Sequence, residues 1–305
     1  MKRWWGAAVS GCLLAVVGLG TCWAEDEPPP LPAHGIEGSG GIFSTYSAYL
    51  VNPAKEGQMW GLPSVADAYV NLGNGRYLNA LTVTETFRDK IEFGFGWDYL
   101  DVGDLPEDVY HATELHIRDN AVNLYNFNVR YALLKEGAFD LPMLPAITIG
   151  AHYKYNETYE DINHDLQGTL EAIGVEDEDD WDFTVYASKM FSDLPRPLLL
   201  NVGLRSTTAA HLGLLGFTED RDILFEGNAV LFATDKLLFI GEYRQKPDNY
   251  TPIPGLVAAE DDWWTLCACY LVNNRTTVSG GYGHFGDVLN HEANKSWGLR
   301  VKYEF

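Results

Sequence analysis

The chain has 305 residues, with 43 Asp and Glu against 21 Lys and Arg, a formal charge of −22 at pH 7. Such an excess of negative charge excludes nucleic acid as a partner, because its phosphates need a basic footprint. Beyond residue 24 there is no run of the roughly 18 apolar residues that a helical membrane span requires.

Residues 1–24 open with Lys2 and Arg3, continue through an apolar run from Gly6 to Gly20, and end on the small Ala24 before Glu25. This is the pattern of a secretory signal peptide, too short and wrongly flanked for a span. Leu19-Gly20-Thr21-Cys22 fits a lipoprotein box poorly, with Thr21 where a smaller residue is expected. Cleavage after Ala24 removes Cys12 and Cys22 and leaves 19 basic against 43 acidic residues, a net of −24. Cys267 and Cys269 remain; two apart on a strand they share a face about 7 Å apart, outside the usual disulfide range. They read as structural thiols, since no Cys or His follows at zinc spacing.

Residues 25–63 form a Pro/Gly-rich linker, from Pro28-Pro29-Pro30-Leu31-Pro32 through the run Gly35 to Gly41; residues 42–50 could be a further strand, but that would make the count odd, so the segment is expected to tuck into the barrel mouth or lumen as a plug. Residues 64–305 form the barrel. Alternating runs predict strands over 65–72, 81–87, 91–100, 122–134, 146–156, 181–191, 198–207, 223–234, 237–245, 262–272, 276–285 and 296–305. Glu85 falls on the apolar face of the second and implies a bulge. All fourteen prolines lie outside these runs, as a sheet requires.

The links alternate in length. From a periplasmic start, 73–80, 101–121, 157–180, 208–222, 246–261 and 286–295 are outer links, mostly long, while 88–90, 135–145, 192–197, 235–236 and 273–275 are inner links, mostly short. That alternation is the signature of an outer-membrane barrel with both termini in the periplasm. The last strand places Trp297, Leu299, Val301, Tyr303 and Phe305 on one face and charged or small residues on the other. A terminal Phe with Tyr two residues before it resembles the signal that barrel-assembly machinery and periplasmic chaperones handle. Two aromatic girdles are expected: Trp97, Tyr99, Tyr155, Trp181, Trp264 and Trp297 at outer strand ends, Phe87, Tyr131, Phe191, Tyr303 and Phe305 at inner ends.

Charge follows the same division. The outer links are strongly acidic, and the lumen face is predicted to balance Asp67, Glu92, Asp98, Asp182, Glu226, Glu242 and Glu304 against Lys90, Arg130, Lys154, Arg205, Arg244, Arg300 and Lys302. Within this set Arg130, Asp182, Arg205, Glu226, Glu242, Arg244 and Arg300 are the candidate network: a solute-selecting constriction or ion pairs filling a narrow barrel.

The stretches Glu37-Gly38-Ser39-Gly40-Gly41, Ile147-Thr148-Ile149-Gly150, Leu204-Arg205-Ser206-Thr207, Gly213-Leu214-Leu215-Gly216-Phe217 and Glu242-Tyr243-Arg244-Gln245-Lys246-Pro247-Asp248-Asn249 resemble an uncharacterised proteobacterial family of outer-membrane proteins, known only as a domain of unknown function. The resemblance implies a barrel and brings no activity or catalytic residue.

The link 157–180 holds ten acidic residues and no Lys or Arg. Its run Glu176, Asp177, Glu178, Asp179 and Asp180 is a candidate for loosely held Ca²⁺ or Mg²⁺, without the spacing or Gly of an EF-hand. No nucleophile sits beside a base in any recognisable pattern, and His152 and His284, isolated in sequence, read as structural. The sequence thus predicts an all-β antiparallel outer-membrane barrel of twelve strands, without cofactor or catalytic residues. As a function it predicts a narrow passive channel for small solutes with an acidic rim, with a closed structural or partner-binding barrel as the alternative and a hydrolase behind both.

Overall fold

The computed structural model describes residues 34–247, 249–253, 256–257 and 261–305. The proposed signal peptide, the proline run 28–32 and Asp248 lie outside them. Twelve strands close into one antiparallel barrel in which each pairs with its sequence neighbour: β1 (Ser64–Gly73), β2 (Arg76–Phe87), β3 (Ile91–Asp101), β4 (Ala121–Leu134), β5 (Ala146–Asn156), β6 (Asp179–Phe191), β7 (Leu198–Thr207), β8 (Asp222–Phe232), β9 (Leu237–Arg244), β10 (Trp263–Leu271), β11 (Thr276–His284) and β14 (Ser296–Glu304). A hairpin of β12 (Asp287–Val288) and β13 (His291–Glu292) sits between the last two. Helices α1 (Leu105–Thr113), α2 (Tyr159–Asp165) and α3 (Thr169–Ala172) lie in the long links.

Strand alternation explains which way each side chain faces. Along β4, Tyr125, Phe127, Val129 and Tyr131 point outward while Asn126, Asn128 and Arg130 are buried. Apolar outside and polar inside is the reverse of a water-soluble sheet; it stabilises a barrel only where the outside is hydrocarbon. Closure also leaves no unpaired edge. Rings extend the pattern: Trp297, Tyr69, Tyr77 and Tyr99 follow one another at 5.7, 5.7 and 6.2 Å near the long-link end. At the other end Trp60, from the segment before β1, meets Phe87 at 4.9 Å, and Tyr303 meets Phe305 at 5.0 Å.

Four expectations need correction. The link 73–80 is a two-residue turn, because Gly73, Asn74 and Gly75 take φ of 84°, 50° and 76°, the backbone a tight hairpin demands; β2 therefore starts at Arg76. Glu85 makes no bulge: it points outward in an unbroken β2–β3 register, and the shifts fall at Asn71/Gly73 and Ala132/Leu134. The face of β1 is inverted, so that Ala66, Ala68, Val70 and Leu72 point inward and Asp67 outward, across from Leu81 and Val301. The inversion has a simple cause: the interior is packed with protein, and apolar side chains belong there as well as outside. Lys90 lies in the turn after β2, its ammonium 5.8 Å from the Tyr131 ring, and not in the lumen.

Residues 34–51 run inside the barrel. They touch inward-facing side chains on every strand from β2 to β9 and on β14, among them Thr82, Ser188, Asn228 and Arg300. Gly94 and Gly96 of β3 face inward, and the segment lies flat on them: a Cβ at Gly94 would meet the Gly38 carbonyl at 1.8 Å. Ile42 packs into a cluster with Leu199, Val230, Leu238, Ile240 and Leu271. At the long-link end, Leu212, Leu214 and Phe217 of the link after β7 fold into the mouth with Val288, Leu289, Trp263 and Phe285, and Ile36 packs beneath them. Arg76, fully buried, donates to the carbonyls of Val288, His291 (2.9 Å), Glu292 (3.1 Å) and Leu72 (3.2 Å), pinning the β12–β13 hairpin over this mouth.

Candidate functional site

The strands and the segment inside them bring six charges to one point in the lumen. Arg205 of β7 donates through Nε to Glu226 Oε1 of β8 (2.7 Å) and through Nη1 to Asp182 Oδ2 of β6 (2.9 Å). Its two Nη groups reach the Glu37 carboxylate at 3.0 Å each, a fork-to-fork pair of the strongest kind. Lys154 of β5 bonds Glu37 as well, lies 3.2 Å from Asp182, and donates to the Leu212 carbonyl at 2.9 Å. Arg244 of β9 sits 3.2 Å from Glu226 and 3.8 Å from Glu37. The wall alone supplies three cations and two anions. Glu37, from the segment inside, supplies the third anion.

Two further carboxylates hold the same segment. Glu92 pairs with Arg130 at 2.9 Å and accepts from the backbone N–H of Gly40 (2.9 Å) and Val51 (2.7 Å). Glu242 Oε1 accepts the N–H of Phe43, Ser44 and Thr45 at 3.0, 3.2 and 3.1 Å and the Thr45 hydroxyl at 2.7 Å, while Thr265 donates to Oε2 at 2.6 Å. Arg300 Nη1 donates to the carbonyls of His34 (2.9 Å) and Ile42. Above the hub, the Tyr46 ring lies 4.7 Å from the Arg205 guanidinium and 5.6 Å from that of Arg130.

All seven residues of the candidate network are buried and face inward. The structure brings only four of them together, Asp182, Arg205, Glu226 and Arg244; Arg130 pairs with Glu92 instead, and Glu242 and Arg300 bind backbone N–H and C=O groups of the segment. Sequence reasoning placed Glu92 and Lys154 in the lumen but not in the network, and missed Glu37 altogether. The signal available was a lone carboxylate inside a Gly-rich run that was expected to enter the lumen. His152 is satisfied, Nδ1 to Asn128 Oδ1 at 2.6 Å and Nε2 to Thr184 Oγ1 at 2.8 Å. The His284 ring stacks on Trp264 at 5.5 Å. Cys267 and Cys269 are free thiols facing inward.

The acidic run 176–180 is drawn out along the approach to β6. Asp179 binds the Tyr153 hydroxyl, Asp180 accepts from Thr208 (2.5 Å) and Arg221, and the backbone N–H groups of Glu176 and Asp177 go to the Phe217 carbonyl. A different trio converges at the rim: His291 Nε2 lies 3.1 Å from Asp104 and 3.5 Å from Asp108.

A closed barrel with a hydrocarbon-facing exterior and a charged, protein-filled interior is a membrane-spanning protein of the outer-membrane type. The chain belongs to the family described as Protein of unknown function (DUF3034), matched over residues 33–302. A comparison with curated proteins finds no match. Among solved structures it is similar to a KdgM porin (9% identity, 79% of this chain and 99% of that one, TM-score 0.49). It is also similar to the outer membrane protein Omp33 of Acinetobacter baumannii (11%, 81% and 99%, 0.46) and to the COG4313 outer membrane channel of Pseudomonas putida F1 (10%, 83% and 100%, 0.44). At such scores the likeness carries no argument, and the architecture rests on the strand ladder itself.

Proposed function

We propose that this protein is an outer-membrane barrel held shut by its own N-terminal segment, and that it passes small solutes only when residues 34–51 move. The observation that carries this is Glu37: the wall is one anion short of neutral at the hub, and the segment brings it. The long acidic links face the cell exterior in this reading, so that the open state prefers cations. A permanently filled barrel that binds a partner through its loops is the second reading, favoured by the apolar packing of Leu212, Leu214 and Phe217 in the mouth.

Ser47 Oγ and Ser188 Oγ lie 3.2 Å apart, which makes them a tether point. In planar bilayers the wild type should be closed for long intervals, with brief cation-preferring openings. Much of that preference should vanish at 1 M salt, where the Debye length falls to about 3 Å. The oxidised Ser47→Cys/Ser188→Cys protein should be silent until reductant is added. Steady conductance from the tethered protein would refute the plug. Silence in every state, including Glu37→Gln, would favour the second reading.

Orientation and assembly have their own tests. Cysteine labels in 157–180 or 246–261 should react on intact cells and labels in 235–236 should not; surface reaction at 235–236 inverts the topology. Deleting Phe305 removes an exposed interfacial ring and the bond from its N–H to the Pro63 carbonyl, 3.1 Å. Folding should slow or fail, and normal heat-modifiable migration at normal yield would argue against a terminal assembly signal.

A further inference from the structure

The long-link end encloses a cavity of about 140 Å³ that the lumen network does not use. Helix α1, helices α2 and α3, and the link after β7 wall it, with Val109, Ile162, Leu170, Leu214 and Leu289 among its apolar side chains. Among the described residues, Asp119 is the only one in the lining with a fixed charge, and no described Lys or Arg faces in. Polar groups at its edge are already engaged: Asn156 Nδ2 donates to the carbonyls of Gly213 and Leu214, both at 3.1 Å, and the Tyr159 hydroxyl donates to the Val175 carbonyl at 2.8 Å. The loops around it are tied together, since Arg118 Nη2 meets Asp165 at 2.7 Å and its hydrogen bonds hold that carboxyl down to about 2. A largely apolar void of this size can take up an apolar guest in place of water. With no cation to receive a carboxylate and an acidic rim around it, the void disfavours anions.

Two smaller cavities continue inward. One, of about 30 Å³, shares His211 and Leu214 with the first. The next, of about 40 Å³, shares Phe43, Val70 and Phe285 with the second. It ends at the wall where Cys267, Gly281 and Gly298 face inward from β10, β11 and β14. Its lining also includes Tyr282, Trp297 and Leu299, whose side chains stand on the lipid face. Small residues on three adjacent strands thin this wall, and none of the described residues lining the three cavities belongs to the six-charge hub.

We infer that the loop cap is a binding site for a small uncharged apolar molecule, of the size of an aromatic ring or a short alkyl chain, and that the β10–β11–β14 wall is its way sideways into the bilayer. The site does not require the N-terminal segment to move, so it stands or falls apart from the gating proposal.

Fluorobenzene, followed by ¹⁹F NMR on the full chain in lipid nanodiscs, tests both parts. A bound resonance distinct from the lipid-dissolved one should appear, and 4-fluorobenzoate should give none. Leu170→Trp and Ile162→Trp, which fill the cavity, should each weaken binding by about tenfold or more, while the oxidised Ser47→Cys/Ser188→Cys protein should bind as the wild type does. Undiminished binding in both Trp variants, or equal binding of fluorobenzoate, overturns the site. Gly298→Val brings its Cβ to about 3.1 Å from the Tyr69 carbonyl and 3.2 Å from Val70, and Ala68→Leu fills the same cavity. Both should retain the bound signal and slow its exchange with the lipid signal several-fold. Unchanged exchange in both variants, with heat-modifiable migration intact, overturns the sideways route.

Discussion

Arg205→Ala is expected to destabilise the barrel by about 3–5 kcal/mol, the usual cost of removing one partner from a buried ion pair. Glu37, Asp182 and Glu226 all receive hydrogen bonds from this one guanidinium, and without it three carboxylates face two cations in a space that excludes water. The desolvation of the carboxylates remains while their compensation is lost. A lowered midpoint of heat-modifiable migration, or of urea unfolding in lipid, reads the effect. Arg205→Lys should recover only part of it, because an ammonium cannot present the fork that holds both oxygens of Glu37. An unchanged midpoint for Arg205→Ala would mean that water reaches the hub, and the lumen would then have to be open.

Glu242→Ala should act on the segment more than on the barrel. It removes the acceptor for three successive backbone N–H groups, those of Phe43, Ser44 and Thr45, and each unsatisfied buried donor costs about 1–3 kcal/mol. The ladder of β8, β9 and β10 is untouched by the change. Amide exchange over 42–46 should accelerate by about tenfold or more, the factor that corresponds to losing roughly 1.4 kcal/mol of local stability. Channel openings should become more frequent, with a smaller fall in the barrel midpoint than for Arg205→Ala. Glu242→Gln, whose amide oxygen still accepts, should lie between. Exchange at the wild-type rate in Glu242→Ala would show that this turn is not what keeps the segment in place.

The barrel was legible because its signals are local. A period of two, prolines confined to links and an alternation of short and long links follow from strand geometry and from the bilayer, and each is read one segment at a time. The inward set Arg130, Asp182, Arg205, Glu226, Glu242, Arg244 and Arg300 came from the same alternation.

The 73–80 link was misjudged because the tight turn at Gly73, Asn74 and Gly75 was not recognised, but the miss in facing came where the interior ceased to be water. The rule that polar faces point inward presumes an aqueous lumen, and β1 breaks it: Ala66, Ala68, Val70 and Leu72 turn inward, Val70 and Leu72 meeting Ile36 and the folded link after β7 in one apolar cluster. Partner choice was equally out of reach. Glu37 lies 117 residues from Lys154 and 168 from Arg205, and no local pattern links them; a carboxylate in a Gly-rich run became a hub only because Gly94 and Gly96 let that run approach the wall. By itself the sequence determined twelve strands, their faces on ten of them, and a membrane-facing exterior, since those depend on neighbours two residues away. Only the tertiary structure decided which charges meet and what fills the lumen, because a buried charge takes its partner from whatever closure of the barrel brings within about 3 Å.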